Sequence, residues 1–147
     1  MKPILVANIL FLSLFLFACK KSVPGCTDPN AENYDVTATE NAGTCSYRGS
    51  AVFYHDGTTA QNLINDGITN VKLYVDGVFM DAMSPNVSFS FVPTCGHPDA
   101  MNMENYGIGN QSSQNFTYSI KDQNNVVLAG GTFQIIGNQC NAIEYNY

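Results

Sequence analysis

Five cysteines are the residues of this chain best suited to covalent chemistry, namely Cys19, Cys26, Cys45, Cys95 and Cys140. A thiol can be acylated, oxidised to a disulfide or deprotonated to bind a metal, and the compartment decides which of these happens. Cys19 differs from the others because it directly follows an apolar run. The other four are an even number, which predicts two disulfides in an exported chain, and four cysteines allow three pairings.

Carboxylate and amide side chains are concentrated between Cys26 and Cys45, where almost no residue is apolar. Calcium takes about six to eight oxygen ligands, with carboxylates among them. The side chains that could supply these oxygens are Asp28, Asn30, Asn33, Asp35 and Glu40. Their spacing is not that of an EF-hand loop. The favoured interpretation is therefore a spacer in which Asp and Asn residues make turns and a disulfide replaces a core, with calcium binding as the alternative.

A second group of metal-ligating side chains contains His97, Met101 and Met103. Histidine and methionine both bind copper. In an extended segment, side chains two residues apart point the same way. The sequence places this group in a long loop over residues 96–114, so a copper site there is an alternative hypothesis. The competing interpretation is a turn at Pro98, with the methionines covering apolar loop surface.

Catalysis and nucleic-acid binding are both disfavoured by the composition. The chain has only two histidines and contains no nucleophile elbow, zinc-protease motif or phosphate-binding loop. Six basic residues stand against twelve acidic ones, for a formal net charge of −6. Because nucleic-acid affinity depends on Lys and Arg neutralising phosphates, an acidic chain is a poor candidate for it. We therefore expect a protein that is not an enzyme and does not bind nucleic acid.

The N-terminal residues predict export. Lys2 is the only charged residue in the first eighteen positions, and Ile4 to Ala18 are almost entirely apolar. Such a run is shorter than the roughly 20 residues that a helix needs to span a bilayer. A basic tip, a short apolar stretch and a small residue at its end are typical of a secretory signal peptide. We assign this role to residues 1–18.

The segment Leu16-Phe17-Ala18-Cys19 resembles a bacterial lipobox, with Phe17 as its one departure from the usual pattern. The resemblance implies that Cys19 becomes the lipidated N-terminus, carrying palmitate-type acyl chains, and that residues 19–24 form a tether. Two or more acyl chains give durable membrane anchoring. In lipoproteins of enteric bacteria, an aspartate directly after the lipidated cysteine is an inner-membrane retention signal. Lys20 occupies that position here, so the resemblance implies delivery to the outer membrane. The tether lacks an acidic patch, which favours the periplasmic face over the cell surface.

Residues 25–47 resemble a cysteine-bracketed repeat of secreted and cell-surface bacterial proteins. The matching residues are Gly25-Cys26-Thr27-Asp28-Pro29, Ala31-Glu32-Asn33-Tyr34, Ala38-Thr39 and Gly43-Thr44-Cys45-Ser46-Tyr47. Asn41 and Ala42 stand where the repeat usually has paired acids. The resemblance implies a small stapled module over residues 25–48. Together with sequence proximity, it favours the pairings Cys26–Cys45 and Cys95–Cys140.

Short apolar segments with a period of two, separated by turn residues, fill residues 49–147. This pattern indicates strands with one buried face. We predict an all-β fold, namely an antiparallel, immunoglobulin-like β-sandwich of about seven strands preceded by the disulfide-stapled module. On segments such as Val71–Gly77 and Tyr118–Gln123, this region also looks like the C-terminal half of small uncharacterised bacterial outer-membrane lipoproteins that carry the same module. That likeness implies a sandwich and no function.

Local signals add four predictions within the sandwich. Asp76-Gly77 predicts a two-residue hairpin turn, and Ser88–Phe91 alternates as a strand does. Residues 59–65 predict either one helical turn or a strand crossover. Gly130-Gly131 predicts a bulge or a tight bend.

These observations together predict a lipid-anchored, non-catalytic protein of the cell envelope with a binding or structural role. Its partners would be the membrane, through the lipid, and an envelope protein or glycan. Tyr54, Tyr74 and Tyr106 are candidates for contacting such a partner. The alternative is a metal-binding envelope protein that uses either calcium or copper, and no other cofactor is expected.

Overall fold

A computed structural model describes residues 21–147, so the predicted signal peptide and Cys19 lie outside the described residues. Within these described residues, nine strands and one helix follow one another. They are β1 (Pro24–Gly25), β2 (Glu40–Asn41), β3 (Tyr47–Tyr54), α1 (Gly57–Asn65), β4 (Val71–Val75), β5 (Val78–Met83), β6 (Met101–Gly109), β7 (Ser113–Lys121), β8 (Val127–Ile136) and β9 (Cys140–Glu144). Within residues 21–147, no helix has the length and apolar character needed to cross a bilayer.

Seven strands form a sandwich of two sheets, which confirms the predicted all-β fold. One sheet has the order β6-β3-β9 and the other β5-β4-β7-β8. All neighbouring pairs are antiparallel except β3 and β9, which run parallel. When the seven strands β3 to β9 are renumbered 1 to 7 along the chain, the two sheets have the strand orders 4-1-7 and 3-2-5-6. A constant immunoglobulin domain instead groups its strands 1, 2, 5 and 4 in one sheet, so this sandwich has its own strand order.

The core lies between the two sheets and follows the period of two seen in the sequence. Val71, Leu73 and Val75 of β4 are buried, whereas the intervening residues are only partly so. Phe53 of β3 crosses the interface, because its ring centroid lies 5.1 Å from that of Phe133 in the opposite sheet. Burying large aromatic side chains in this way contributes most of the packing energy of such a core.

The predicted hairpin turn and helix are both present, whereas the predicted glycine bulge is wrong. Asp76 and Gly77 have φ angles of 47° and 81°, as a tight hairpin between β4 and β5 requires. The helical alternative for residues 59–65 is confirmed by α1, which begins two residues earlier. Gly130 and Gly131 instead pair regularly within β8, and a Cβ at Gly131 would press on the Tyr118 ring. The absence of a side chain at Gly131 makes room for that ring.

Two segments between β5 and β7 differ from prediction. Ser88–Phe91 is not a strand, because its one backbone hydrogen bond to another segment runs from the Phe89 N–H to the His55 carbonyl. Pro93 follows two positions later and has no N–H to continue the pairing. The predicted long loop over residues 96–114 is also wrong, because it contains β6. Polar Asn residues on the outward face of β6 weakened its sequence signal.

The N-terminal module packs directly on the sandwich. Its β1 and β2 form a two-residue parallel ladder. Cys26, Ala31 and Cys45 are buried in the same apolar cluster as Tyr47, the first residue of β3. The module therefore covers the end of the sandwich where β3 begins.

Candidate functional site

Both predicted disulfides are present. Cys26 bonds to Cys45 with a Cα–Cα distance of 4.9 Å, and Cys95 bonds to Cys140 with a Cα–Cα distance of 5.8 Å. The first staples the module. The second ties the segment before β6 to the start of β9.

The two aspartates proposed as calcium ligands hold turns of the module. Asp28 accepts hydrogen bonds from the Asn30 N–H and from the Tyr47 hydroxyl at 2.7 Å. These bonds lower the pKa of the Asp28 carboxyl, with the Asn30 N–H contributing most. Asp35 accepts from the hydroxyl and the N–H of Thr37, which lowers its pKa in the same way. The favoured turn roles therefore describe both residues.

The remaining proposed calcium ligands do not complete a cage. Asn33 donates to the Thr44 carbonyl and accepts from the Ser46 N–H, so its amide closes the module. Asn30 and Glu40 lie exposed on its surface. Across residues 21–147, no group of three His, Cys, Asp or Glu side chains is arranged to hold a metal ion.

The copper alternative depends on an exposed loop, and the prediction of that loop is wrong. Met101 and Met103 do point the same way, but they point into the core from β6 and are fully buried. His97 lies outside that strand, and its ring packs against those of Phe89 and Phe91, with centroids 5.1 Å and 6.2 Å away. The methionines thus serve as core side chains.

A hollow with apolar walls forms a groove of about 270 Å³ on the surface, called here the Phe91 groove. Its lining residues are Tyr54, Asp56, Phe89, Ser90, Phe91, Val92 and Glu144. Phe91 is 60% exposed and Val92 64% exposed, and together they present an apolar edge to solvent. Scattered exposed apolar residues are ordinary, but the position of this apolar edge beside a hollow makes the groove a candidate contact surface.

Different elements position the walls of the groove. Tyr54 ends β3 and Glu144 ends β9, so the parallel pairing of these strands sets them side by side. Phe89 is buried beneath, in edge-to-face contact with Tyr54 at 6.0 Å. Phe91 packs edge-to-face on Phe89 at 5.7 Å, which holds its exposed ring in place.

The groove carries negative charge. Asp56 is the N-cap of α1 and accepts from the Thr59 N–H at 2.8 Å, and this bond lowers the pKa of its carboxyl. Glu144 is exposed, and its carboxylate makes no hydrogen bond or ion pair with any residue from 21 to 147. Burial, and to a smaller extent Glu144, raises the pKa of the Tyr54 phenol. No Lys or Arg lines the groove.

The groove lies at the opposite end of the sandwich from the module. Tyr47 joins the module at the start of β3, and Tyr54 reaches the groove at its end. Seven residue steps of about 3.3 Å separate these two positions by roughly 23 Å. The groove therefore faces away from the N-terminal end of the described chain.

A buried polar pair supports the strand ends behind the groove. His55 Nδ1 lies 2.7 Å from the Tyr145 hydroxyl, and Nε2 lies 3.4 Å from the Pro85 carbonyl oxygen. The carbonyl can only accept, so Nε2 carries the proton and Nδ1 accepts from Tyr145. Burial lowers the pKa of His55 and raises the pKa of Tyr145 well above its usual value. The pair is neutral and joins three chain segments.

Sequence reasoning found some of these residues and missed others. Tyr54 does line the groove, mostly as floor, whereas Tyr74 and Tyr106 are half-buried elsewhere. Phe91 and Glu144 were missed as groove residues, because each belongs to a segment whose pattern indicates only an ordinary strand. Comparison with known proteins returned no significant match to any family model, curated protein or solved structure.

Proposed function

We propose that this chain is a lipid-anchored, non-catalytic protein of the outer membrane that binds a basic, extended segment of an envelope protein in the Phe91 groove. The observation that carries the proposal is the exposed Phe91–Val92 edge beside two carboxylates with no basic residue in the lining. The lipid anchor rests on the lipobox resemblance at Cys19.

The chemistry of the groove selects its occupant. Apolar walls favour the aliphatic stem of a long side chain, and the Asp56 and Glu144 carboxylates favour a cationic end. Phe91 and Tyr54 add aromatic rings, which attract Lys or Arg cations. A basic side chain next to an apolar one satisfies all of these features, whereas an acidic segment would be repelled. The excess of acidic residues along the whole chain supports the same choice.

Replacing Phe91 with alanine should weaken binding of a basic peptide about tenfold, because truncating an aromatic anchor at an interface costs on the order of 1.4 kcal/mol or more. The probe is a ten-residue synthetic peptide that alternates lysine and leucine, titrated against the full chain in detergent micelles by calorimetry. Glu144→Gln should weaken binding to a smaller extent and reduce its dependence on salt.

Phe79→Ala is the matched control, because Phe79 is 52% exposed but lies on β5, outside the groove. This variant should bind the peptide as the unchanged protein does. A peptide that alternates glutamate and leucine should bind far more weakly than the lysine peptide. Equal affinity for the two peptides, or equal loss in the two phenylalanine variants, would exclude the groove as the binding site.

Mass spectrometry of the native protein should find an N-terminus at Cys19 that carries diacylglycerol and a further acyl chain. The variant Cys19→Ala should accumulate as a precursor that keeps residues 1–18, because the thiol that receives the lipid is gone. Cys95→Ala, which removes a cysteine of the Cys95–Cys140 disulfide instead, should be processed normally. An unmodified Cys19 thiol in the native protein would contradict the anchor.

The periplasmic face is the expected location of the mature protein. Protease added to intact cells should leave it uncut, and protease added after the outer membrane is permeabilised should digest it. Digestion in intact cells would instead place the protein on the cell surface, without affecting the anchor itself.

A further inference from the structure

A second, polar hollow lies where the module meets the sandwich and is called here the Arg48 cleft. It consists of two neighbouring hollows of about 280 Å³ and 200 Å³ that share Arg48, Asn105 and Asn138. The other lining residues are Asn30, Ala31, Glu32, Gly49, Ser50, Cys95, Gln139 and Cys140. The cleft shares no residue with the Phe91 groove, and its role does not rest on the function proposed for that groove.

Arg48 is held in place at the centre of the cleft but keeps donors to spare. Its Nε donates to the Glu32 carboxylate at 3.1 Å, and its Nη1 donates to the Asn105 carbonyl at 2.9 Å. The two side chains are 47% and 56% exposed. A guanidinium has further N–H groups, and the second carboxylate oxygen of Glu32 accepts no bond within residues 21–147. The ion pair therefore offers both donors and acceptors at nearly zero net charge.

Amide side chains line the rest of the cleft on a rigid backbone. Asn105 and Asn138 adopt left-handed φ angles of 52° and 57°. The Asn105 N–H donates to the Ser50 hydroxyl, and the Asn138 N–H donates to the Arg48 carbonyl at 2.6 Å. In contrast, the side-chain amides of Asn105, Asn138 and Gln139 make no hydrogen bond to any residue from 21 to 147. Each amide can donate and accept at once.

The walls of the cleft are fixed before any ligand binds. The Cys95–Cys140 disulfide lines one wall, where its sulfurs and methylenes give an apolar face. The Cys26–Cys45 disulfide holds the module only three positions before Arg48. At Gly49 a Cβ would collide with the Ile136 carbonyl, so β8 packs directly on the backbone of β3 beside the cleft. Preorganised walls reduce the entropy lost on binding.

We propose that the Arg48 cleft binds a neutral oligosaccharide. Paired hydroxyl groups of a sugar both donate and accept, which matches the amides and the Arg48–Glu32 pair. The C–H face of a sugar ring can pack on the disulfide. A phosphate or carboxylate ligand would lie against the Glu32 carboxylate and be repelled. The volumes are at the small end for ligand sites, which fits a short oligosaccharide.

The test is calorimetric titration of the full chain with neutral tetrasaccharides, in a detergent without a sugar headgroup. The probes are maltotetraose, cellotetraose and fully N-acetylated chitotetraose. The double variant Asn105→Gly and Asn138→Gly should bind at least tenfold more weakly. Glycine keeps the left-handed backbone of both positions while removing both amides, so the fold is retained. Gln139→Ala, at an exposed position, provides a second variant and should bind about threefold more weakly.

Asn125→Gly is the matched control, because Asn125 also has a left-handed φ of 66° but lies outside the cleft. It should bind as the unchanged protein does. Three outcomes would overturn the proposal: no neutral tetrasaccharide binds, an acidic tetragalacturonate binds at least as tightly, or the cleft variants bind unchanged. None of these outcomes bears on the lysine peptide, whose titration reports on the Phe91 groove alone.

Discussion

Removing the Cys95–Cys140 disulfide, by changing both residues to alanine, should lower the free energy of unfolding by about 4 kcal/mol. The reason is the length of chain that the bond closes, since its cysteines are 45 positions apart. Without the bond the unfolded chain gains conformational freedom, and the native state loses relative stability. Urea denaturation of the full chain in detergent micelles, followed by tyrosine fluorescence, measures the change.

The Cys26–Cys45 pair provides the comparison for this prediction. Its cysteines are 19 positions apart, so the same model predicts a loss of about 3 kcal/mol when both become alanine. The two losses should therefore fall in the order of loop length. A Cys95–Cys140 variant as stable as the unchanged protein would contradict the prediction that the bond restricts the unfolded chain.

His55→Leu should lower the free energy of unfolding by about 3 kcal/mol. His55 has no exposed surface, and leucine would leave the Pro85 carbonyl without a partner and the Tyr145 hydroxyl with only the weakly accepting Met83 sulfur at 4.0 Å. Each buried polar group left unpaired costs about 1–3 kcal/mol. The double variant His55→Leu and Tyr145→Phe should recover at least about 1 kcal/mol, because it removes the stranded hydroxyl as well.

The same histidine should make stability depend on pH. Burial lowers the pKa of His55 in the folded protein below the ordinary value of 6.5. As pH falls below that value, the unfolded state takes up a proton that the folded state does not, so the free energy of unfolding decreases. The hydrogen bond to the Pro85 carbonyl and, to a smaller extent, the charge of Asp56 raise the pKa of His55, but burial outweighs both. Stability should therefore be greater at pH 7.5 than at pH 5.5.

Two variants test the assignment of this pH dependence. The double variant at His55 and Tyr145 should show a smaller decrease between pH 7.5 and pH 5.5 than the unchanged protein. His97→Asn, which alters the chain's other histidine, should keep the part of the decrease that depends on His55. If the double variant retained the full decrease, another group would be responsible.

The sheet architecture could be predicted from residues whose neighbours along the chain determine their role. Val71, Leu73 and Val75 alternate strictly, and alternation can bury only one face of a strand. Asp76-Gly77 favours the positive φ angles of a tight turn whatever surrounds it. Pairing of the four remaining cysteines followed from proximity and from the likeness of residues 25–47 to a known repeat.

Other positions could not be predicted because distant residues decide their surroundings. Met101 and Met103 have the same local pattern in an exposed loop and in a core strand, and only pairing with β3 places them in the core. Phe89 and Phe91 stand two positions apart in an alternating segment, a pattern that predicts the same face for both. In the structure, however, Phe89 is buried and Phe91 is exposed. Their difference depends on one bond to His55 and on the chain direction after it.

The sequence by itself determined the fold class and the hairpin turn, since both follow from local patterns. The pairing of the cysteines followed from proximity together with the likeness of residues 25–47 to a known repeat. Only the tertiary structure decided which surfaces can bind. The Phe91 groove joins the ends of β3 and β9 to a segment between β5 and β6, and the Arg48 cleft joins the module to β3, β6 and the turn before β9. Such surfaces arise from contacts between residues far apart in the chain, which no local pattern records.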